Sequence, residues 1–579
     1  MNGDFNKHGR PHFLALLTIA IMSVFVVRLF YLQVIQHDHY VRLANNEQLR
    51  QLVIPSQRGE IYALDGGQPV KLVLNQTVYT VFADPKIVDK PQEVIDLVQR
   101  TAGGNARPNL DLLLAKKTSR YQILATKVSR GQAELMKKAG LHGLGFQQES
   151  QRVYPEGELA AQTLGFVDAE GVGRYGIESY FNSRLTGADG LLQSVTDVRD
   201  VPLTIGEKNI NRPAKNGDNI VLTIDRNVQA YTEKALAKGL KDSGATNGSA
   251  IVIDPQTGKI LAMANLPTYN PTNYNKVTDP AAFNNATVSI PYEPGSDIKT
   301  MTVTAGLDRG VITAGTTYNN TDYIKVEDRT ITNATKGQTG TITMQHALNY
   351  SLNTGMVTIA KLLGDGNNIT YGARQTLYDY FHNKFQLGTI TGVEVAGEAK
   401  GILIPPTAQD GGAVRYSNMA FGQGMDVTMV QVVAGFSAIV NGGTYYKPTV
   451  VAGTIDEEGG FAAAPVKDAT RNVISPETSS AARKMIHDAR SAFYASSDRP
   501  GFDIGGKTGT SQTIENGQYV DDQTVGTYLG YGGNDTPRYV IMVQVSGKGL
   551  NMQGSKHAMP IFNDISNWMI DYLKLQPKG

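Results

Sequence analysis

The alternation of apolar and polar positions changes character several times along the chain. Residues 13–27 are apolar apart from Thr18 and Ser23. As a helix this run reaches about 22 Å, short of a hydrocarbon core of about 30 Å. Continuing through Arg28 to Ile35 gives a full span, with the single arginine able to snorkel or pair. The pattern predicts an uncleaved membrane anchor over 13–35, behind a short tail of residues 1–12. Lys7 and Arg10 would also suit a signal peptide, but Leu29-Phe30-Tyr31-Leu32 offers no small-residue cleavage site. Basic residues flank the span on both sides (Lys7 and Arg10, then Arg42 and Arg50), so charge does not set its orientation.

Past the anchor, residues 37–51 read as a polar helix. The whole stretch 36–206 predicts a mixed module, with short strands such as 79–82 and helices such as 92–100. It contains no nucleophile–base spacing and reads as structural. A polar linker, 207–219, leads into a domain over 220–579 that opens with a strand at 220–224. A hairpin follows, 249–253 with 259–264, turned by Asp254-Pro255-Gln256-Thr257-Gly258. Alternation at Val525, Thr527 and Leu529, and the run 539–545, predict late strands before a final helix carrying Trp568. Strands at both ends with helices between them predict an α+β domain, an antiparallel sheet closed by its two chain ends.

Composition removes several classes of function. Lys plus Arg is 54 and Asp plus Glu is 53 in 579 residues, a net charge of +1. Phosphate neutralisation needs a basic excess, so a nucleic-acid binder is not expected. Cysteine is absent, which excludes disulfides, a thiol nucleophile and thiolate metal sites. The nine histidines show no ligand spacing such as His-Glu-x-x-His, and no metal or cofactor is expected.

Three short motifs carry candidate chemistry. Ser296-Asp297-Ile298-Lys299 follows the turn Pro294-Gly295, and Ile298, Met301 and Ala305 place a helix there. Ser296 and Lys299 then share one face. A serine with a neutral lysine in reach is a nucleophile–base pair, provided burial and a second cation lower a lysine pKa of about 10.4. Asp297, about 100° further round, should point away from that face as a first-turn acidic residue without a chemical part. Ser351-Leu352-Asn353 is the second motif. Residues two apart diverge on a helix, so this pair converges from a loop at the mouth of the helix marked by Met356, Ile359, Ala360 and Leu363. The third is Lys507-Thr508-Gly509-Thr510. On an edge strand Lys507 and Gly509 share a face, and glycine allows a ligand close to the backbone. Residues 501–508 also match Gly-x-x-x-x-Gly-Lys-Thr, a phosphate-loop pattern. That loop needs a buried strand before it and a helix after it. Here the flanks are Ser496-Ser497-Asp498-Arg499-Pro500 and the helix-poor run 511–519, so no nucleotide site is expected.

In this order the three motifs resemble those of the penicillin-recognising serine acyltransferases, and the chain resembles class B penicillin-binding proteins over nearly its whole length. Arg58-Gly59-Glu60-Ile61 resembles that family's entry to its pedestal domain. Gly173-Arg174-Tyr175-Gly176-Ile177-Glu178 with Leu185-Thr186-Gly187 resembles its mid-pedestal signature. Leu222-Thr223-Ile224-Asp225 with Gln229 resembles the start of the transpeptidase domain. Thr391-Gly392 with Gly397-Glu398, and Phe421-Gly422-Gln423-Gly424 with Gln431, resemble later landmarks, the last group nearer the cell-division branch than the elongation branch. Departures are Asp297, where small or hydroxyl residues are commoner, Asn270-Pro271-Thr272-Asn273 and Asn284-Asn285.

The resemblance implies a membrane anchor, an elongated mixed α/β pedestal and a penicillin-binding transpeptidase domain. It implies D,D-transpeptidation of peptidoglycan stem peptides, with Ser296 acylated, Lys299 as general base, Ser351 as proton relay and Asn353 on the donor peptide. Lys507 would depress the Lys299 pKa and steady Ser351, while Thr508, Gly509 and Thr510 would hold the carboxylate region. The oxyanion would meet the N–H groups of Ser296 and Thr510. It also implies a single-pass location in the bacterial cell membrane with the catalytic domain outside, sensitivity to β-lactams, and septal partners including a membrane glycan polymerase. Rival readings are a non-catalytic division scaffold, which Asp297 favours, and an anchored β-lactamase, which the pedestal opposes. An antibiotic sensor would need a signalling segment longer than the stretch before Phe13.

Overall fold

The computed structural model describes residues 9–40, 49–195, 210–465, 467–515 and 518–578. The chain divides into two compact units, one of residues 1–58 with 186–217, the other of 59–185 with 218–579.

In the smaller unit a helix spans Gly9–Phe30 and continues as a wider turn over Tyr31–Ile35. The stretch His12–Ile35 is long and apolar enough to cross a membrane, and none of it is buried against protein. Thr18 and Ser23, its polar interruptions, turn their hydroxyls back to the carbonyls of Leu14 and Ile19. Lys7 and Arg42 lie outside the described residues. The polar helix expected over 37–51 is corrected at its end: residues 37–40 are helical, residues 41–48 lie outside the described set, and Leu49–Ile54 is a strand. That strand pairs antiparallel with Gly190–Val195, which pairs in turn with Ile210–Arg212. The expected linker 207–219 therefore contains a strand, with residues 207–209 outside the described set. Its backbone groups find a neighbour in the sheet, which a polarity pattern does not reveal.

Two large sheets organise the larger unit, beside four two-stranded ones among the described residues. In the first, β1 (Ile61–Asp65) and β2 (Gln68–Ala83) form a hairpin. Helix α1 (Pro91–Ala102) follows, then β3 (Gln122–Ser129) and β4 (Leu144–Val153), both antiparallel to β2. The short strand expected at 79–82 is the end of the sixteen-residue β2. Strand β5 (Asn219–Asp225) pairs parallel with β1, so this sheet crosses the boundary expected between 36–206 and 220–579. A buried ion pair secures the crossing region. Arg152 on β4 donates to Glu178 at 2.7 Å, to Gly59 O and to Asn75 Oδ1, joining two stretches that carried the family resemblance.

The second sheet holds the chemistry. Asp225 caps α2 (Arg226–Ser243). Strands β6 (Asn247–Ile253) and β7 (Ile260–Leu266) are the expected hairpin. On one side lie α3 (Lys299–Asp308), α4 (Asn353–Leu362) and the wholly buried α5 (Met429–Val440). The chain then adds β8 (Val451–Ile455) to the first sheet beside β5 and runs through α6 (Pro476–Tyr494). Strands β9 (Asp503–Glu515), β10 (Gln518–Gly533) and β11 (Pro537–Ser546) complete the order β7-β6-β11-β10-β9, before α7 (Met559–Tyr572). Early and late strands thus close one antiparallel sheet, as the alternation predicts. Side chains divide by parity: Ile251, Leu529 and Met542 enter the core with α3 to α5, whereas Val252, Tyr528 and Val543 pack with α2 and α7. Strand β9 is an edge of this sheet.

Candidate active site

The first motif enters through a tightly held turn. Gly295 has φ +59° and donates its N–H to Gly422 O at 2.9 Å. A Cβ on Gly422 would lie 1.9 Å from Gly295 O, so only glycine fits there. Glu293 is buried, and its Oε1 accepts from Gly424 N at 2.6 Å and from Tyr519 Oη at 3.1 Å. Ser296 stands half-buried in a single 3₁₀ turn, Gly295–Ile298, from which α3 continues.

Lys299, only 1% exposed, gathers the second motif around it. Its Nζ donates to Ser351 O at 2.6 Å, Ser351 Oγ at 3.1 Å and Asn353 Oδ1 at 2.8 Å. Asn353 Nδ2 donates to Thr332 O, which sets which amide atom faces the lysine. Ser351 has φ +55°, a conformation disfavoured for any side chain, and this turns both its oxygens toward one amine. Asn353 opens α4, so loop and helix mouth converge as expected. Burial holds the Lys299 pKa well below the usual lysine range, and the nearby Lys507 charge lowers it further.

Lys507, 5% exposed, lies on β9. Its Nζ donates to Thr508 O at 3.0 Å and Thr508 Oγ1 at 3.4 Å, and none of its hydrogen bonds reaches Ser351. Any steadying of Ser351 by Lys507 is therefore electrostatic. Thr508 is half-buried and Thr510 exposed, the latter accepting from Gly554 N through Oγ1. A Cβ on Gly295 would come 2.9 Å from Thr510 O, so β9 runs directly past the Ser296 turn.

One reading from spacing needs correction, and a second residue has surroundings that spacing did not reveal. A Cβ on Gly509 would meet Thr527 Oγ1 at 2.1 Å and Asp297 Oδ2 at 2.9 Å. That glycine admits the neighbouring strand and a carboxylate from beneath, where ligand approach was expected. Asp297 lies in the first turn and points away from the Ser296–Lys299 face, as expected, but not into solvent. It is fully buried, and its Oδ2 accepts from Thr527 Oγ1 at 2.7 Å. Pointing away from the Ser296–Lys299 face takes it under β9 and β10. Thr527 itself was legible only as one position in a strand. Glu293 likewise carried no motif signal. Beyond Thr510 a cavity of about 880 Å³ is bordered by Glu293, Ile402, Asp426, Ser511, Thr513 and Gln544.

The phosphate-loop pattern falls on β9, which runs on to Glu515 where that loop would begin a helix. Its glycines have another purpose: a Cβ on Gly505 or Gly506 would strike the rings of Tyr531 and Tyr528.

A buried Ser-x-x-Lys at a helix start, a Ser-x-Asn loop on its lysine and a Lys-Thr-Gly edge strand define a serine acyltransferase site of the penicillin-binding kind. Residues 248–567 match the penicillin binding protein transpeptidase domain, and 53–222 match the penicillin-binding protein dimerisation domain. The chain belongs to the class B penicillin-binding proteins. It is 29% identical to stage V sporulation protein D of Bacillus subtilis, over 98% of this chain and 86% of that one. It is 27% identical to the peptidoglycan D,D-transpeptidase FtsI of Escherichia coli, covering 95% and 89%. Among solved structures, a peptidoglycan synthetase from Bifidobacterium adolescentis superposes with TM-score 0.72 at 25% identity, covering 92% of this chain and 98% of that one. Penicillin-binding protein 3 of Mycobacterium tuberculosis, complexed with aztreonam, gives 0.68 at 25% identity, covering 91% and 98%.

Proposed function

We propose that this chain cross-links peptidoglycan stem peptides through an acyl-enzyme on Ser296. The observation that carries the reading is the buried Lys299 amine, bonded to Ser351 and Asn353, its pKa lowered by burial and by Lys507. Ser296 Oγ attacks the carbonyl carbon of the D-Ala-D-Ala bond, and its proton passes to Lys299. The oxyanion meets the N–H groups of Ser296 and Thr510, a type of contact worth about 3–4 kcal/mol per donor. The C–N bond then breaks, Ser351 relays the proton to the leaving amine, and D-Ala departs. An amine from a second stem peptide attacks the ester carbonyl and gives a proton to Lys299; the C–O bond to Ser296 then breaks and Lys299 passes that proton to Ser296 Oγ. Asn353 holds the donor peptide, while Thr508 and Thr510 hold its terminal carboxylate beside the Lys507 charge. The cavity beyond Thr510 offers room for peptide.

The substrate lies outside the bacterial cell membrane, so residues 13–35 act as a single-pass anchor with the tail 1–12 inside. Residues 36–206 serve as pedestal, 207–219 as connection and 220–579 as the transpeptidase domain. The septal role and partnership with a membrane glycan polymerase rest on the division-like landmarks around Phe421 and Gln431. Covalent labelling by a fluorescent penicillin tests the reaction. Stable labelling, lost in Ser296→Ala with the fold intact, is expected. No labelling would favour a division scaffold, and rapid release of opened reagent a β-lactamase.

A further inference from the structure

The carboxylate of Asp297 has no part in the chemistry above, yet its surroundings are specific. It is fully buried, directly after the nucleophile. Oδ2 takes the Thr527 hydroxyl at 2.7 Å, while Oδ1 is buried without a hydrogen-bond partner. A buried carboxylate left in this state is costly unless a cation lies near it. The strand above supplies one. Gly509, whose missing Cβ makes room for the carboxylate, is two residues from Lys507, and alternation puts both on the same face of β9.

We propose that Asp297 is a positioning residue for the reaction: its buried carboxylate, held by Thr527 beneath Gly509, keeps Lys507 cationic beside Lys299. The coupling is reciprocal. Burial pulls the Lys507 pKa down and Asp297 pushes it back up, whereas burial pushes Asp297 up and both Thr527 and Lys507 hold it down. The effect reaches the base through one intermediary, because a charged Lys507 disfavours a second charge on Lys299. The titratable groups that act on this carboxylate are Lys507 on β9 and Tyr292 on the approach, the latter kept neutral by burial, while Lys299 follows two residues on and feels Lys507. Elsewhere against β9, α6 brings His487, paired with Asp503, and the turn Gly554–Ala558 brings Lys556 and His557, the His accepting from Gln553 N.

The inference rests on the acyl-enzyme reading, and one experiment separates the two. The full chain in detergent is acylated by a fluorescent penicillin across pH, and the rate constant is followed for wild type and Asp297→Asn. Any stable acylation by wild type upholds the reaction whatever the variant does. The inference expects the alkaline limb, where Lys507 loses its proton, to move to lower pH by about one unit in Asp297→Asn, the scale of a lost buried counter-charge. Thr527→Val, which removes the bond that favours the ionised carboxylate, should shift the limb the same way by less. It supplies the reading if Asp297→Asn does not fold. In Lys507→Arg the limb should vanish, and adding Asp297→Asn should then move nothing. A limb unmoved in the folded variants, even with a lowered rate, would leave Asp297 a purely structural residue and overturn the inference.

Discussion

Lys299 Nζ meets Ser351 twice, at its carbonyl oxygen (2.6 Å) and at its hydroxyl (3.1 Å). The two contacts are chemically unequal. A carbonyl only accepts, as does Asn353 Oδ1, whereas a hydroxyl can also donate. A charged lysine satisfies all three with its three hydrogens. A neutral lysine gives its two hydrogens to the obligate acceptors, and its lone pair then faces a hydroxyl able to donate. The Ser351 bond can therefore reverse direction as the proton moves, which is what a relay requires.

Lys299→Arg should be nearly as damaging to acylation as Lys299→Ala. Arginine keeps a cation and several donors but does not deprotonate, so it serves neither as base nor as relay. Acylation rates of the two variants decide the matter. An arginine variant retaining most of the rate would make Lys299 a fixed charge instead of a base.

ATP with magnesium should not bind at residues 501–508. Gly505 and Gly506 lie under Tyr531 and Tyr528 within a continuous strand, so their N–H groups do not form a phosphate cradle at a helix start. Calorimetric titration should show no saturable heat, and one saturable magnesium-dependent site removed by Lys507→Ala would contradict this.

Gly509→Ala should impair the site from within. The added methyl would meet Thr527 Oγ1 at 2.1 Å and Asp297 Oδ2 at 2.9 Å, so β9 must lift away from the Ser296 turn. Overpacking of this kind costs about 1–3 kcal/mol. Both the melting temperature and the acylation rate should fall, and pairing it with Thr527→Ser, which keeps the clash, should restore neither. Unchanged acylation would mean that the strand tolerates the shift.

The motif residues that meet at Lys299 were legible in the sequence, because each lies at a spacing with local geometric meaning. The sheet order was legible for a similar reason, since alternation at 525–529 and 539–545 marks strands without knowledge of their partners. Asp297 was not. The argument from helical rotation told correctly which way it does not point, but that direction leads under β9 and β10 instead of into water. Only distant residues, Thr527 and Gly509, close that space. Residues 49–54 and 210–212 failed similarly: a short strand of this kind is defined by its neighbours' backbones, and side-chain pattern carries little of that.

The last prediction concerns pH and stability away from the cleft. Glu233 on α2 is deeply placed, accepting from Gln229 Nε2 at 2.7 Å and from Ala160 N at 2.8 Å. Burial pushes its pKa from an ordinary 4.5 up to about 7, against the pull of those two bonds. A carboxyl raised on folding binds its proton more tightly in the folded chain than in the unfolded one. Its contribution is thus fully present below the unfolded value and is lost as pH rises through about 7. The shift sets an upper limit of about 3 kcal/mol on that loss. Glu233→Gln keeps the acceptor for Ala160 N without the charge. It should match wild type near pH 5 and melt at a higher temperature near pH 8. Should the variant be the less stable at pH 8 and equal at pH 5, the ionised carboxylate would be stabilising, and the direction assigned to this group would be wrong.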